Sequence, residues 1–419
     1  MFELVIILIV IVIGVYLITS GKNGLGVMVI VAAVLIGGIL LFNDSTVTTQ
    51  VLPADANAMV LPMHYVSPIV EKDPYTPQQV GSVYLNPPAT AYGGAGQKIG
   101  IITCYNHPYL QRDFDVFCTK YDLPAKQLHI HNRARFRSYG WAIETCLDTQ
   151  WSHVFSPTAE LHVFQAASAS FAAIKDALTD AVAAGMNIVS MSFGSSESVY
   201  ADREINWIFL NNPQITFLAA SGDWDVVSYP SSSNSVISVG GTCLYVQSDN
   251  VNTSYYPPNG NYSFDTTRFT KIGETVWSTS KGPGTGHGLS NLYDRPVYQD
   301  GHNASVKRST PDISLIAASP SQNGVSIYFN PRAGAATDKH VLNNPRAWIG
   351  VEGTSVSSPI LAGMIATINS TRTTKLTRAQ IMQYLYNQIP TNLAVETSQD
   401  GVGFIGRSFI PMCVAAPVA

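Results

Sequence analysis

From residue 97 onward, short apolar runs alternate with helix-forming stretches, and this alternation limits the architecture more than any other feature of the sequence. The runs at residues 97–104, 127–131, 161–165, 187–192, 215–220 and 235–239 are too short for core helices. Apart from 127–131, they are apolar at most positions rather than at every second residue, as expected of strands buried on both faces. Between them, residues 111–121 and the Ala-rich stretch 168–184 have helical patterning. Strands alternating with helices imply an α/β fold, a parallel sheet covered by helices on both faces. Residues 249–295 are rich in Tyr, Asn, Gly, Ser and Thr and read as loops and hairpins, and a last pair of helices surrounds Ser355 and residues 376–388.

The N-terminus follows a different pattern. Residues 2–17 (FELVIILIVIVIGVYL) and 25–42 (LGVMVIVAAVLIGGILLF) are each near the ~20 apolar residues that span a bilayer as a helix. A polar turn, ITSGKNG, separates them, and it holds Lys22, the one basic residue of the region. The pattern predicts a transmembrane hairpin over residues 1–43, embedded through residues 2–42. Lys22 would place the turn in the cytoplasm and the rest of the chain on the lumenal or extracellular side. A cleaved signal peptide is the alternative, but no small-residue cleavage site follows the first run and the second run argues against it. Asn-x-Ser/Thr triplets begin at Asn43, Asn252, Asn261, Asn303 and Asn369, acceptors for glycans only on that side of a membrane. Residues 44–73 are irregular and dotted with proline, and they read as a linker ahead of a domain spanning 74–419.

The chain's 419 residues carry a net charge of −4, with charged residues at 12%. No basic patch is available to follow a phosphate backbone, so nucleic acid is excluded as a partner. Five cysteines, Cys104, Cys118, Cys146, Cys243 and Cys413, include no C-x-x-C pair, a spacing that disfavours zinc and allows at most two disulfides. His129 and His131 alternate on one strand face, but no third metal ligand is evident from the sequence.

Chemistry concentrates in three places. GTSVSSP (353–359) precedes the apolar run ILAGMIA, which sets Ser355 at the start of a buried helix. There, unpaired N–H groups and the helix dipole favour a nucleophilic oxygen and the oxyanion it creates. In GWAIETCLDTQ (140–150), Glu144 and Asp148 lie four residues apart, one above the other on a helix. Two carboxyls held together cannot both ionise cheaply, so one retains a proton. Such a pair can take a proton from serine and still work in acid, where histidine is already charged. In AASGDWD (219–225), an apolar strand ends in a glycine turn and Asp223 follows, at the sheet edge where active sites collect. A protonated carboxyl there can donate to an oxyanion. Taken singly, each motif has an ordinary structural reading: a helix cap, a solvated acidic face, a turn aspartate.

Taken in order, the segments resemble the sedolisin family, the serine-carboxyl peptidases of peptidase family S53 with a subtilisin-like fold. The likeness runs through YTPQQV (75–80), GQKIGII (96–102), the E-x-x-x-D helix, VSMSFG (189–194), SGD (221–223), SVGGT (238–242), ETVW (274–277), PDIS (311–314) and GTSVSSP. It implies a serine-type endopeptidase or tripeptidyl-peptidase acting through an acyl-enzyme, with a protein or peptide as substrate. Position by position, it makes Ser355 the nucleophile, Glu144 the general base and then acid, Asp148 its proton partner and Asp223 the oxyanion donor. Ser192, Phe193 and Gly194 would line the substrate, whose backbone would pair as an added strand. Phe193 stands where the family usually has tryptophan, a change expected to alter specificity rather than chemistry.

Two departures accompany the likeness. Relatives carry a long, folded propeptide, whereas only residues 44–73 lie between the apolar runs and the domain, which argues against restraint by a prodomain in cis. The chemistry needs no cofactor. Relatives hold a structural calcium near the C-terminus; Glu396 and Asp400 offer oxygen ligands here, but the usual pattern is not recognisable and the metal ligands stay unknown. The expected whole is a membrane-anchored serine-carboxyl peptidase. The alternative is an inactive, membrane-tethered binding or structural protein on the same scaffold.

Overall fold

An eight-stranded sheet carries the fold, in the order Phe269–Val276, Ile237–Ser248, Thr216–Ala220, Ile188–Met191, Lys98–Cys104, Glu160–Ala166 and His129–Asn132, with Ile313–Ala318 paired to Ile237–Ser248. The computed structural model describes residues 59–66, 73–84, 93–248, 269–278, 283–334 and 348–387. The sheet strands are β3 (Lys98–Cys104), β4 (His129–Asn132), β5 (Glu160–Ala166), β6 (Ile188–Met191), β8 (Thr216–Ala220), β10 (Ile237–Ser248), β11 (Phe269–Val276) and β14 (Ile313–Ala318). All pairings among them are parallel except β10 with β11.

Both faces of the sheet's centre are apolar, which is why the central strands show no two-residue alternation in the sequence, whereas the edge strand β4 is largely exposed. Ile99, Ile101, Leu161, Val163, Ile188 and Leu218 point to one side. There they meet α2 (Leu110–Lys120), α3 (Tyr139–Phe155) and α6 (Thr354–Ser370). Ile102, Phe164, Val189, Met191, Phe217 and Ala219 point to the other side, against α4 (Phe171–Ala183) and α5 (Val199–Asn211). The remaining helices are α1 (Pro77–Tyr84) and α7 (Arg378–Asn387). This is the α/β arrangement expected from the sequence, and the helices and strands expected over residues 97–239 are present to within a few residues.

Helix α6 is buried from Thr354 to Asn369 and lies against α3. Gly363 makes the approach possible, because a Cβ there would stand 2.6 Å from the Ser152 carbonyl oxygen and 2.7 Å from Phe155 Cβ. Strands β6 and β8 end at Met191 and Ala220, so Ser192 and the Ser221–Asp223 turn emerge at the carboxyl edge of the sheet, beside the first turn of α6.

Three smaller sheets complete the described residues. β12 (Gly288–Asp294) pairs with β13 (Lys307–Thr310) within the region read as loops and hairpins and just after it. β7 (Phe193–Ser196) lies between β1 (Leu61–Pro62) and β9 (Ser228–Tyr229). β16 (Trp348–Glu352) lies between β15 (Val325–Tyr328) and β2 (Tyr65–Val66). Residues 59–66, assigned above to a linker, therefore supply two strands to the folded domain.

The expected transmembrane hairpin and the calcium candidates Glu396 and Asp400 lie outside the described residues. Among the described residues, no helix is long and apolar enough to cross a membrane. Cys104, Cys118, Cys146 and Cys243 are all free, so the disulfides that the cysteine count allows do not form among the described residues.

Candidate active site

Four elements deliver the polar groups predicted from the sequence to one buried place. Helix α3 carries Glu144 and Asp148 one turn apart, both fully buried. Helix α6 begins at Thr354, so Ser355 sits in its first turn. The turn after β8 supplies Asp223, and the residue after β6 is Ser192.

Hydrogen bonds tie these groups together. Ser192 Oγ donates to Asp148 Oδ1 at 2.6 Å. Ser355 Oγ lies 3.3 Å from the Ser192 carbonyl oxygen, as its donor. Glu144 also interacts with the Ser355 side chain and with Asp148. Thr354 fixes Asp223, with its backbone N–H and its Oγ1 each donating to Oδ1 at 2.8 Å. Gly353 precedes the helix at φ 132°, a conformation that strongly favours glycine.

Burial governs the charges. It pushes the Glu144 carboxyl well above its usual range, while the Ser355 hydrogen bond opposes the shift. Asp148 is pushed up by burial and then by the neighbouring Glu144. Asp223 rises to about 6, again through burial, with Thr354's hydrogen bonds pulling the other way. Glu144 Oε1 and Asp148 Oδ2 are both buried and without a hydrogen-bond donor.

Ser192, Phe193 and Gly194, the residues expected to line a substrate, are buried beside the cluster, and the chain's own residues 61–62 run along them. Strand β1 pairs antiparallel with β7, Leu61 opposite Gly194 and Pro62 opposite Phe193. Met63 N–H donates to the Ser192 carbonyl at 3.1 Å, and Ser355 N–H donates to the Met63 carbonyl at 3.0 Å. Beyond Met63, His64 Nδ1 lies 2.5 Å from Glu144 Oε2. Burial lowers the His64 pKa to about 4 and raises that of Glu144, so burial works against an ion pair at this contact. β2 then pairs with β16, Val66 opposite Val351 and Tyr65 opposite Glu352. Gly194 makes room for this packing, since a Cβ there would meet Ser228 Oγ at 2.1 Å and Met63 Cε at 2.8 Å. Phe193 is buried, with its ring 6.2 Å from that of Trp141.

The sequence reading placed Ser355, Glu144, Asp148 and Asp223 but missed Met63, His64 and the supporting role of Thr354. The one available signal was Leu61-Pro62-Met63-His64, where proline favours an extended backbone at the residue before it. His129 and His131 gain neighbours that the sequence did not reveal: His162 stacks on His129 with centroids 4.4 Å apart, and Glu160 is adjacent. A second group able to hold a metal is wholly buried, with His107 Nε2 3.2 Å from Cys146 Sγ and 3.4 Å from Asp113 Oδ2.

Comparison with known proteins agrees with this geometry at the level of fold and family. The structure is similar to a Pseudomonas sedolisin, a serine-carboxyl proteinase solved with two molecules of pseudo-iodotyrostatin. That match has a TM-score of 0.61 and 23% identity, over 80% of this chain and 91% of the other. A lanthipeptide protease matches at a TM-score of 0.45 and 14% identity, over 75% of this chain and 86% of the other. No curated protein matches. The family model for the subtilase family matches residues 148–404, a span that includes Asp148, Asp223 and Ser355 and begins just after Glu144. The chain belongs to the subtilase family of serine-type peptidases.

Proposed function

We propose that this chain is a serine-carboxyl peptidase of the sedolisin type. Its Ser355 attacks a peptide carbonyl, Glu144 takes the serine proton and returns it to the leaving amine, and Asp148 shares the proton of the pair. Ser355 N–H and a protonated Asp223 receive the oxyanion. The observation that carries the reading is the single buried cluster of Glu144, Asp148, Asp223 and Ser355, in contact through Ser192 and Thr354. Burial raises all three carboxyls, so that the Glu144/Asp148 pair would keep one proton and one site free to accept the serine proton while Asp223 stays protonated in acid. An extended peptide would lie along β7 in the position that β1 takes. The apolar runs at residues 2–42 would hold the domain at a membrane, on the lumenal or extracellular side, with the Asn-x-Ser/Thr triplets open to glycans.

The test is hydrolysis of a denatured protein at about pH 3–6 by the full chain in detergent. Ser355→Ala is expected to lower the rate at least about 10³-fold, and Glu144→Gln about 10²-fold or more. A Ser355→Ala variant as active as the parent refutes the assignment. Extraction of membranes with alkaline carbonate tests the anchor: a chain released into the supernatant is not embedded. The second reading, a tethered non-catalytic protein, draws on one observation, that the chain's own residues 59–66 line the cleft. It requires that Ser355 fail to react with a peptide aldehyde.

A further inference from the structure

We infer that His107, Asp113 and Cys146 bind a divalent transition-metal ion, zinc by the character of the ligands, behind the helix that carries the acidic pair. None of the three belongs to the peptidase site, so the metal site and the peptidase reading stand or fall separately. His107 lies in the loop between β3 and α2, Asp113 in the first turn of α2, and Cys146 in α3. All are buried, with 3%, 0% and 0% of their surfaces exposed. Their donor atoms converge. His107 Nε2 is 3.2 Å from Cys146 Sγ and 3.4 Å from Asp113 Oδ2, and the sulfur and oxygen are 4.0 Å apart. Atoms at these separations surround a point about 2.1 Å from each, close to the Zn–N and Zn–O distances of about 2.0–2.2 Å and the Zn–S distance of about 2.3 Å. The second oxygen of Asp113, Oδ1, is buried without a partner and is available as a fourth donor.

Hydrogen bonding alone serves these groups poorly. Asp113 Oδ2 already accepts from Asn330 N–H at 2.7 Å. If His107 Nε2 carries a hydrogen, it and the Cys146 thiol crowd the same oxygen as further donors, while Oδ1 has none. If Nε2 is bare, its single lone pair faces the thiol together with either an ionised carboxylate, which repels it, or a protonated one, which competes for it. A cation at the centre removes the conflict, because imidazole, thiolate and carboxylate then turn their lone pairs to one point. The thiol proton leaves to solvent as the ion binds. The charges close as well: thiolate and carboxylate supply two negative charges and neutral imidazole none, so a divalent ion is neutralised in the interior. Calcium and magnesium take oxygen ligands, so nitrogen and sulfur donors select against them. One cysteine is enough for this ligand set, and the lack of a C-x-x-C pair has no bearing on it.

Cys146 is two residues from both Glu144 and Asp148, so it projects from roughly the opposite side of α3. The ion ties that side to α2 and to the β3–α2 loop, and Asn330, after β15, holds the Asp113 carboxylate from outside. It is a structural ion, closed to substrate, that fixes the position of the acidic pair without touching it.

The experiment measures metal in the full chain, produced with zinc or with cobalt in the medium, purified in detergent and passed over a chelating resin. The expected content is about one equivalent of zinc per chain. The cobalt form should show the d–d bands of a tetrahedral ion together with a thiolate-to-cobalt charge-transfer band. Cys146→Ala and His107→Ala should each hold at least about tenfold less metal. The zinc-loaded parent should unfold at a higher temperature than the parent produced under zinc depletion. A parent that retains less than about a tenth of an equivalent, or a cobalt form without the charge-transfer band, overturns the inference whether or not the variants fold. Metal retained in full by Cys146→Ala is held elsewhere, as at His129, Glu160 and His162, and overturns it too.

Discussion

Asp223 receives two hydrogen bonds from Thr354 on one oxygen, Oδ1, from the backbone N–H and from Oγ1, each 2.8 Å long. Its other oxygen, Oδ2, stands beside Gly353 and in the proposed mechanism would carry the proton toward a substrate carbonyl. Burial raises this carboxyl to about 6. As a hydrogen-bond donor it works only while protonated, so its contribution is present below that pH and disappears above it. Asp223→Asn supplies an N–H donor at every pH. The ratio of kcat/KM for the variant to that for the parent should therefore rise between about pH 5 and pH 7. A ratio constant over that range removes Asp223 from the oxyanion site.

Glu352 is almost wholly buried, and its Oε1 accepts from Ser319 N at 3.2 Å and Gly324 N at 3.1 Å. Burial outweighs those bonds and moves its pKa from 4.5 to about 7. The folded state then binds more protons than the unfolded chain across that window. The contribution of Glu352 to stability is whole below pH 4.5 and is lost as pH rises through about 7. Glu352→Gln keeps the acceptor and cannot ionise. Its stability relative to the parent should increase between about pH 4 and pH 7 by on the order of 3 kcal/mol, read from urea unfolding at each pH.

Arg308 is completely buried, with Nη2 2.7 Å from Asp312 Oδ2. Asp312 also accepts from Ser238 N and Tyr386 OH, each at 2.8 Å. Arg308→Met strands a carboxylate in the interior, and the expected loss is about 3–5 kcal/mol. Adding Asp312→Asn removes the uncompensated charge and keeps an acceptor for Tyr386. The double variant should therefore be more stable than the single one by denaturant unfolding. Equal stabilities would mean that the charge is relieved in some other way.

Gly363 lies in the middle of α6, where alanine would ordinarily favour the helix by about 1 kcal/mol. Here its Cβ would press on the Ser152 carbonyl at 2.6 Å, a backbone atom of α3 that cannot swing aside. Overpacking of this kind costs about 1–3 kcal/mol, so the clash should win. Gly363→Ala should lower the melting temperature, and it should also weaken activity because α3 carries Glu144 and Asp148. A variant with a raised melting temperature would show that the two helices separate easily.

The parallel sheet was legible because strands covered on both faces leave uninterrupted apolar runs, as at residues 98–104 and 215–220. The spacing of Glu144 and Asp148 marked them as a pair on one helix face, and only the ordered resemblance of the other segments set that pair apart from a solvated acidic face. What that spacing did not indicate is that α3 is buried from Trp141 to Phe155, polar residues included. The reason is that α6, in contact with α3, is itself a core element. The strand β11 falls in a region whose composition suggested loops, because an antiparallel strand at the sheet edge tolerates Thr, Lys and Glu. β1 and β2 left no periodic signal, since two residues cannot display a two-residue period and the hydrogen bonds that define them come from β7 and β16.

Because α6 threads the interior, with Thr354 to Asn369 enclosed, Ser355, the proposed nucleophile, has no surface foothold of its own. An isolated helix of this length is marginal in water and gains its stability from the packing around it. Ser355 therefore reaches its partners only once the sheet has closed about that helix. A growing polypeptide, still attached to its ribosome and short of residue 370, is an unarmed enzyme.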